Sequence, residues 1–227
     1  NTYQLEKLEP ISYYWDAIKD NWRLAIWDYT PSNKITSMSL DHVDLRTFIT
    51  TLVEDYAAYH QISAFDRWVD HSPMNVLHVE WLLELFPDAK FIHLVRDPRA
   101  VAASVTQLPW GPNTTAEFVP FWLQKVSAGI AAESRYPEKV KRLRYEDLVT
   151  TPSRVGDAIA QFLDVEKICM DQWSETGMTR YTRYQHRKVG DALQYGASQN
   201  WGNRLAKEDV RFIEGALQGV MQHLGYE

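Results

Sequence analysis

The chain has 227 residues, 45% of them hydrophobic and 24% charged, with a formal net charge of −6. That is enough chain for one domain with its own core, without disulfides or metals to hold it. The acidic balance argues against a dedicated nucleic-acid binder, which would carry a basic stripe, and a single cysteine, Cys169, excludes an intrachain disulfide and a Cys-rich metal site.

No run approaches the apolar length of a membrane span, and a reducing, cytoplasmic setting is the expectation. Asn113-Thr114-Thr115 is a formal glycosylation triplet that also arises often by chance. The chain opens at Asn1 rather than Met and its first residues read like the middle of a domain, so 1–227 is expected to be a single domain whose upstream part is missing.

From Tyr3 to Tyr29 the chain is dense in Trp and Tyr, including Tyr13, Tyr14, Trp15, Trp22, Trp27 and Tyr29. Such clusters form core or subunit contacts more often than a pocket wall. Asp41 to Tyr59 has helical spacing, with Val43, Phe48, Leu52, Val53 and Tyr56 on one face. Arg67 to Asp70 reads as a short strand ending at His71-Ser72-Pro73, followed by a helix over 75–86. Lys90 to Val95 is an apolar run suited to a buried parallel strand. Asp97-Pro98 then predicts a helix with Asp as N-cap and Pro at its first position. A helix over 117–133 has Pro120 in its first turn, 141–145 is a strand, and Thr151-Pro152 opens a helix through Phe162. The segment 207–224 is an amphipathic helix carrying Val210, Phe212, Ile213, Leu217, Val220 and Met221.

Strands alternating with helices predict an α/β layer fold with a parallel sheet flanked by helices. Ligands of such sheets bind beyond the carboxyl ends of the strands. There Arg96 and Arg99 flank Asp97 at a helix start, with Ser104 further along that helix. Arg supplies a planar fork of donors and Ser a hydroxyl, which together suit a phosphate. An ion pair between Arg96 and Asp97 is an equally good reading of the same residues.

The segment KFIHLVRDPRAVAAS, Lys90 to Ser104, resembles the 3′-phosphate-binding segment of the sulfotransferases that use 3′-phosphoadenosine 5′-phosphosulfate (PAPS). RWVDHSPMNVLHVEWLLELFPDA before it is similar to the same family, as is RLRYEDLVTTPSRVGDAIAQFLDV after it. So is the closing NWGNRLAKEDVRFIEGALQGVMQHLGY, with its Trp and its helix ending in Leu-Gly-Tyr. The resemblance implies a P-loop NTPase-like sulfotransferase fold and transfer of a sulfuryl group to a hydroxyl or amine, releasing adenosine 3′,5′-bisphosphate (PAP). It implies no metal and a small-molecule, glycan or peptide acceptor.

The resemblance also assigns roles. Arg96 and Ser104 would hold the 3′-phosphate, and Tyr145 would lie against the adenine, although it could also simply pack the strand end. His71, two residues before Pro73, matches the position of the catalytic base in the cytosolic small-molecule enzymes. Relatives with Lys in this motif suggest the other role, lending charge to the transferring group. Asp70 would orient His71 or be solvated. Arg187 and Lys188, followed by Gly190-Asp191, loosely match a phosphate clamp, with altered glycine spacing. The family's N-terminal strand and Gly/Ser/Thr-rich 5′-phosphosulfate loop have no counterpart before Leu40, nor is there a Walker-type glycine pattern. Two rival readings are a kinase of the same ancestry, which would need a phosphate loop with Lys, and a non-catalytic nucleotide-binding domain.

Overall fold

The computed structural model describes residues 5–25, 27–36, 42–63, 65–108, 111–168 and 200–226. The chain divides into two compact units, one holding Asn1–Ser72 with Glu80–Asp88 and the other holding Pro73–Val79 with most of the chain from Ala89 onward.

In the first unit, β1 (Glu9–Pro10) pairs antiparallel with β2 (His42–Val43). Helices α1 (Ile11–Ile18), α2 (Trp22–Ala25), α3 (Asn33–Thr36) and α4 (Leu45–Tyr59) complete the elements up to residue 59. The helix expected from Asp41 starts later, and the cause is local. Asp44 is extended, at φ −80 and ψ 169, and its carboxylate accepts the Thr47 N–H at 2.7 Å. It therefore acts as the N-cap, which leaves Val43 in β2 instead of on the helix face. The Thr47 bonds hold the Asp44 carboxyl below the usual carboxylate range.

The aromatic-rich N-terminus mainly builds core here. Ile11, Ile35, Phe48 and Leu52 are buried, and Tyr14, Trp15, Trp27 and Tyr29 pack against them. Tyr14 stacks on Phe48 at 5.1 Å. Asp55 ties the cluster together by accepting from the Tyr29 hydroxyl and from the Ser32 N–H. Tyr13 and Trp22 remain more than half exposed.

Arg67 to Asp70 form no strand among the described residues, and Val69 is 87% exposed. A strand needs a partner ladder, and no described strand lies alongside. Instead Asp70 Oδ1 accepts the Ser72 N–H at 2.8 Å, turning the chain before Pro73. The expected 75–86 helix is split into a 3₁₀ turn, Pro73–Leu77, and α5 (Val79–Leu85).

The second unit is built on β3 (Phe91–Val95) and β4 (Val140–Arg144), which pair in parallel from Phe91↔Val140 to Val95↔Arg144. Between them run α6 (Pro98–Val105) and α7 (Thr115–Arg135), and after them α8 (Tyr145–Thr150), α9 (Pro152–Leu163) and α10 (Lys207–His223). The α/β class expected from the sequence is the class found. Thr114 caps α7 by accepting the Glu117 N–H, while Glu117 accepts the Asn113 N–H. This cap starts the helix earlier than expected, so Pro120 falls at its sixth residue rather than in the first turn.

The core joins Val95 and Ala102 to Phe118, Trp122 and Val126 of α7 and to Ile213, Leu217 and Met221 of α10. The i, i+4 spacing of the last three is the stripe read from the sequence, while Phe212 is 47% exposed. Strand β3 is buried on one face only: Val95 is in the core, but Ile92 and Leu94 are 40% and 51% exposed. The reason is that α7 and α10 pack on the face that carries His93 and Val95.

On that face the helix comes close to the strand because residue 129 is glycine. A Cβ on Gly129 would lie 2.1–2.4 Å from the His93 ring. His93 cannot move aside easily, because its Nδ1 lies 2.6 Å from Glu133 Oε1. Glu133 in turn holds Arg142 Nε at 3.2 Å. Gly129→Ala should therefore cost about 1–3 kcal/mol by overpacking, read as a lower urea midpoint at unchanged slope.

Candidate functional site

The carboxyl ends of β3 and β4 lie side by side, and their register decides what meets there. Because Val95 faces Arg144, the next residues out are Arg96 and Tyr145. The Arg96 guanidinium lies over the Tyr145 ring at 4.5 Å. A cation above an aromatic face is held by the ring quadrupole, and Arg keeps its edge N–H groups for other acceptors. Arg144 makes the same kind of contact with Tyr226, also at 4.5 Å.

The sequence left an ion pair between Arg96 and Asp97 open as the other reading; the ion pair seen at Asp97 is with Arg99. Asp97 is 8% exposed, and its Oδ1 accepts the Arg99 N–H at 2.8 Å, so it is the N-cap of α6. The same carboxylate takes the Arg99 side chain at 2.8–3.2 Å, through Nε and Nη2. Arg99 Nη1 reaches Glu214 Oε1 at 2.7 Å, and its guanidinium lies over Trp201 at 4.4 Å. The two arginines thus part company: Arg99 belongs to a structural knot, while Arg96 stands with Tyr145 at the strand ends.

Ser104 is half-buried on α6, six residues beyond Pro98. At a helical rise of 1.5 Å per residue that is about 9 Å along the axis. The Asp97 carboxylate occupies the start of this helix, so an anion held by Arg96 and Ser104 would lie along its flank and be bound through side chains. That is a stricter demand than simple attraction to a helix dipole.

His71 is exposed in the first unit, directly before the turned Ser72. Asp70, considered as its orienting partner, spends one carboxylate oxygen on the Ser72 N–H. Arg187 and Lys188 lie outside the described residues, as does Cys169. Among the described residues no group of three His, Cys, Asp or Glu side chains could hold a metal, and no helix is long and apolar enough to cross a membrane.

Sequence reasoning missed the groups that brace these strand ends. Glu146 accepts the Asp97 N–H at 3.1 Å and the Tyr226 hydroxyl at 2.9 Å. The sequence offers Trp201 and Tyr226 only as family-like features of the C-terminal segment. Their contacts with Arg99, Arg144 and Glu146 span some 80 to 100 residues and leave no local pattern to read.

With this geometry in place, comparison with known proteins gives the class. The family described as "Sulfotransferase family" matches residues 14–168, and the chain belongs to that family. It is 27% identical over 164 residues to a Caenorhabditis briggsae protein named "Putative protein-tyrosine sulfotransferase", covering 70% of this chain and 54% of that protein. It is 26% identical over 159 residues to carbohydrate sulfotransferase 1 of Rattus norvegicus, covering 61% of this chain and 39% of the relative. The chain thus spans about half the length, or less, of these curated relatives. Among solved structures it is similar to the sulfotransferase domain from the curacin biosynthetic pathway. The TM-score is 0.61 at 17% identity, over 99% of this chain and 83% of the other, which gives the same fold.

Proposed function

We propose that this protein transfers the sulfuryl group of PAPS to an acceptor hydroxyl or amine and releases PAP. The observation that carries this reading is the Arg96–Tyr145 stack at the ends of two adjacent parallel strands, with Ser104 on the helix that follows. A guanidinium and a hydroxyl suit a 3′-phosphate, and a tyrosine ring suits an adenine face. Family membership supplies the reaction class. The relatives are named for tyrosine and carbohydrate, both of which present a hydroxyl, so a hydroxyl acceptor is the favoured case.

In the transfer, an acceptor lone pair forms a bond to sulfur as the sulfur–oxygen bond to the 5′-phosphate breaks. The acceptor proton passes to a base, and PAP leaves with the bonding pair. Nucleophile and leaving oxygen must lie in line, so positioning and charge stabilisation supply most of the acceleration. His71 is proposed as the base on its sequence pattern, and Arg187 and Lys188 as further phosphate contacts on theirs.

PAP should raise the melting temperature of the full-length protein by mass action, and adenosine 5′-phosphate should do so less. Arg96→Ala should weaken PAP binding by about 1.5–3 kcal/mol, measured by calorimetry, and leave adenosine 5′-phosphate unaffected. Equal weakening of both nucleotides would make Arg96 a structural residue and defeat the assignment.

A further inference from the structure

Glu146, the residue after Tyr145, links two distant parts of the second unit. Its Oε1 accepts the Asp97 N–H at 3.1 Å, and its Oε2 accepts the Tyr226 hydroxyl at 2.9 Å. The Asp97 N–H belongs to the peptide joining Arg96 to Asp97. A peptide is planar, so fixing that N–H fixes ψ of Arg96 and the direction in which its side chain leaves the strand. Tyr145-Glu146 therefore grips Arg96 twice, with a ring on the side chain and a carboxylate on the backbone.

Such a grip is only as firm as Glu146 itself. Tyr226 is 5% exposed and shares the core with Met221 and Leu224, its ring under the Arg144 guanidinium. Gly225, at φ +76, turns the chain after α10 so that Tyr226 folds back toward β4. A Cβ at Gly225 would lie 3.3 Å from Arg144 Nη1, and the left-handed backbone disfavours other residues there. Burial, and then the Glu146 charge, push the Tyr226 phenol well above its ordinary value, so it remains a neutral donor.

We infer that Tyr226 is a positioning residue for anion recognition at Arg96: its hydroxyl fixes Glu146, which fixes the Arg96–Asp97 peptide. The inference rests on Arg96 being the 3′-phosphate contact. Neither Tyr226 nor Glu146 needs to touch the nucleotide, and the role is read in selectivity rather than in stability.

The test measures PAP and adenosine 5′-phosphate binding to the full-length protein as wild type, Tyr226→Phe, Glu146→Gln, Glu146→Ala and Arg96→Ala. Tyr226→Phe keeps the ring under Arg144 and removes the hydroxyl that Glu146 accepts from. It should weaken PAP binding about five- to tenfold and leave adenosine 5′-phosphate unchanged. Glu146→Gln keeps an acceptor oxygen for the Asp97 N–H and should retain the preference for PAP, whereas Glu146→Ala should lose it. Equal weakening of both ligands in Tyr226→Phe, or an undiminished preference, overturns the inference. If Tyr226→Phe does not fold, the Glu146 pair decides, and a full preference in Glu146→Ala overturns it. Should Arg96→Ala abolish the preference while Tyr226→Phe keeps it, the 3′-phosphate reading stands and only the positioning role falls. A wild type with no preference for PAP sinks both.

Discussion

Replacing Asp97 by Ala should destabilise the second unit by up to about 3–5 kcal/mol, because it removes the more buried of the two carboxylates that pair with Arg99. The Asp97 and Arg99 side chains are each 11% exposed, and the carboxylate meets the guanidinium through both oxygens. Its removal leaves Arg99 with Glu214, whose side chain is 42% exposed and so more strongly screened by water. The same substitution deletes the N-cap of α6, a loss of about 1 kcal/mol within that total. Urea unfolding followed by tryptophan fluorescence measures the change. Asp97→Asn separates the two contributions, since it keeps an oxygen for the Arg99 N–H but removes the charge. If Asp97→Ala costs no more than a cap, about 1 kcal/mol, then Glu214 and Trp201 suffice to hold Arg99 and the ion pair is incidental.

His71→Ala should lower turnover about 10²- to 10⁴-fold, the usual contribution of a positioned general base. PAP affinity should stay nearly unchanged, since the proposed 3′-phosphate contacts are Arg96 and Ser104. The residue is exposed and stands directly before a turn held by Asp70, so the substitution removes no buried contact. A loss of turnover with an unchanged melting temperature would therefore report chemistry rather than folding. His71→Lys distinguishes the two roles left open by the motif. Activity restored at neutral pH means that the residue lends charge to the transferring group, because an ordinary ammonium cannot accept a proton. Full turnover in His71→Ala places the base elsewhere.

Local chemistry was legible in the sequence, and distant partnership was not. Asp97-Pro98 announced a capped helix because the bonds that start a helix lie within three residues. The stripe of Ile213, Leu217 and Met221 announced a buried helix face for the same reason of short range. Arg67 to Asp70 had strand-like residues, but a strand exists only with a neighbour to bond to, and composition cannot supply one. The apolar run of β3 suggested a buried strand, whereas Ile92 and Leu94 face outward. Covering a face depends on which helices pack there, a tertiary matter. At the site, Arg96, Ser104 and Tyr145 could be singled out from the motif. The Arg99 side chain that pairs with Asp97 is also held by Trp201 and Glu214, more than a hundred residues away, which no local pattern announces.

Strand β3 also has a phase, and both the core and the candidate site depend on it. Odd positions His93 and Val95 meet α7 and the core, even positions Ile92 and Leu94 look outward, and Arg96 follows directly at the strand's end. A single residue inserted within Phe91–Val95 would reverse the alternation between the insertion and one end of the strand. Depending on where it fell, it would swing the imidazole off Gly129 or turn the Arg96 guanidinium away from the Tyr145 ring. Substitutions here can be judged one side chain at a time, but insertions and deletions cannot. The strand behaves as a reading frame in space, so by this argument an inserted residue should be tolerated better in a connection between elements than within it.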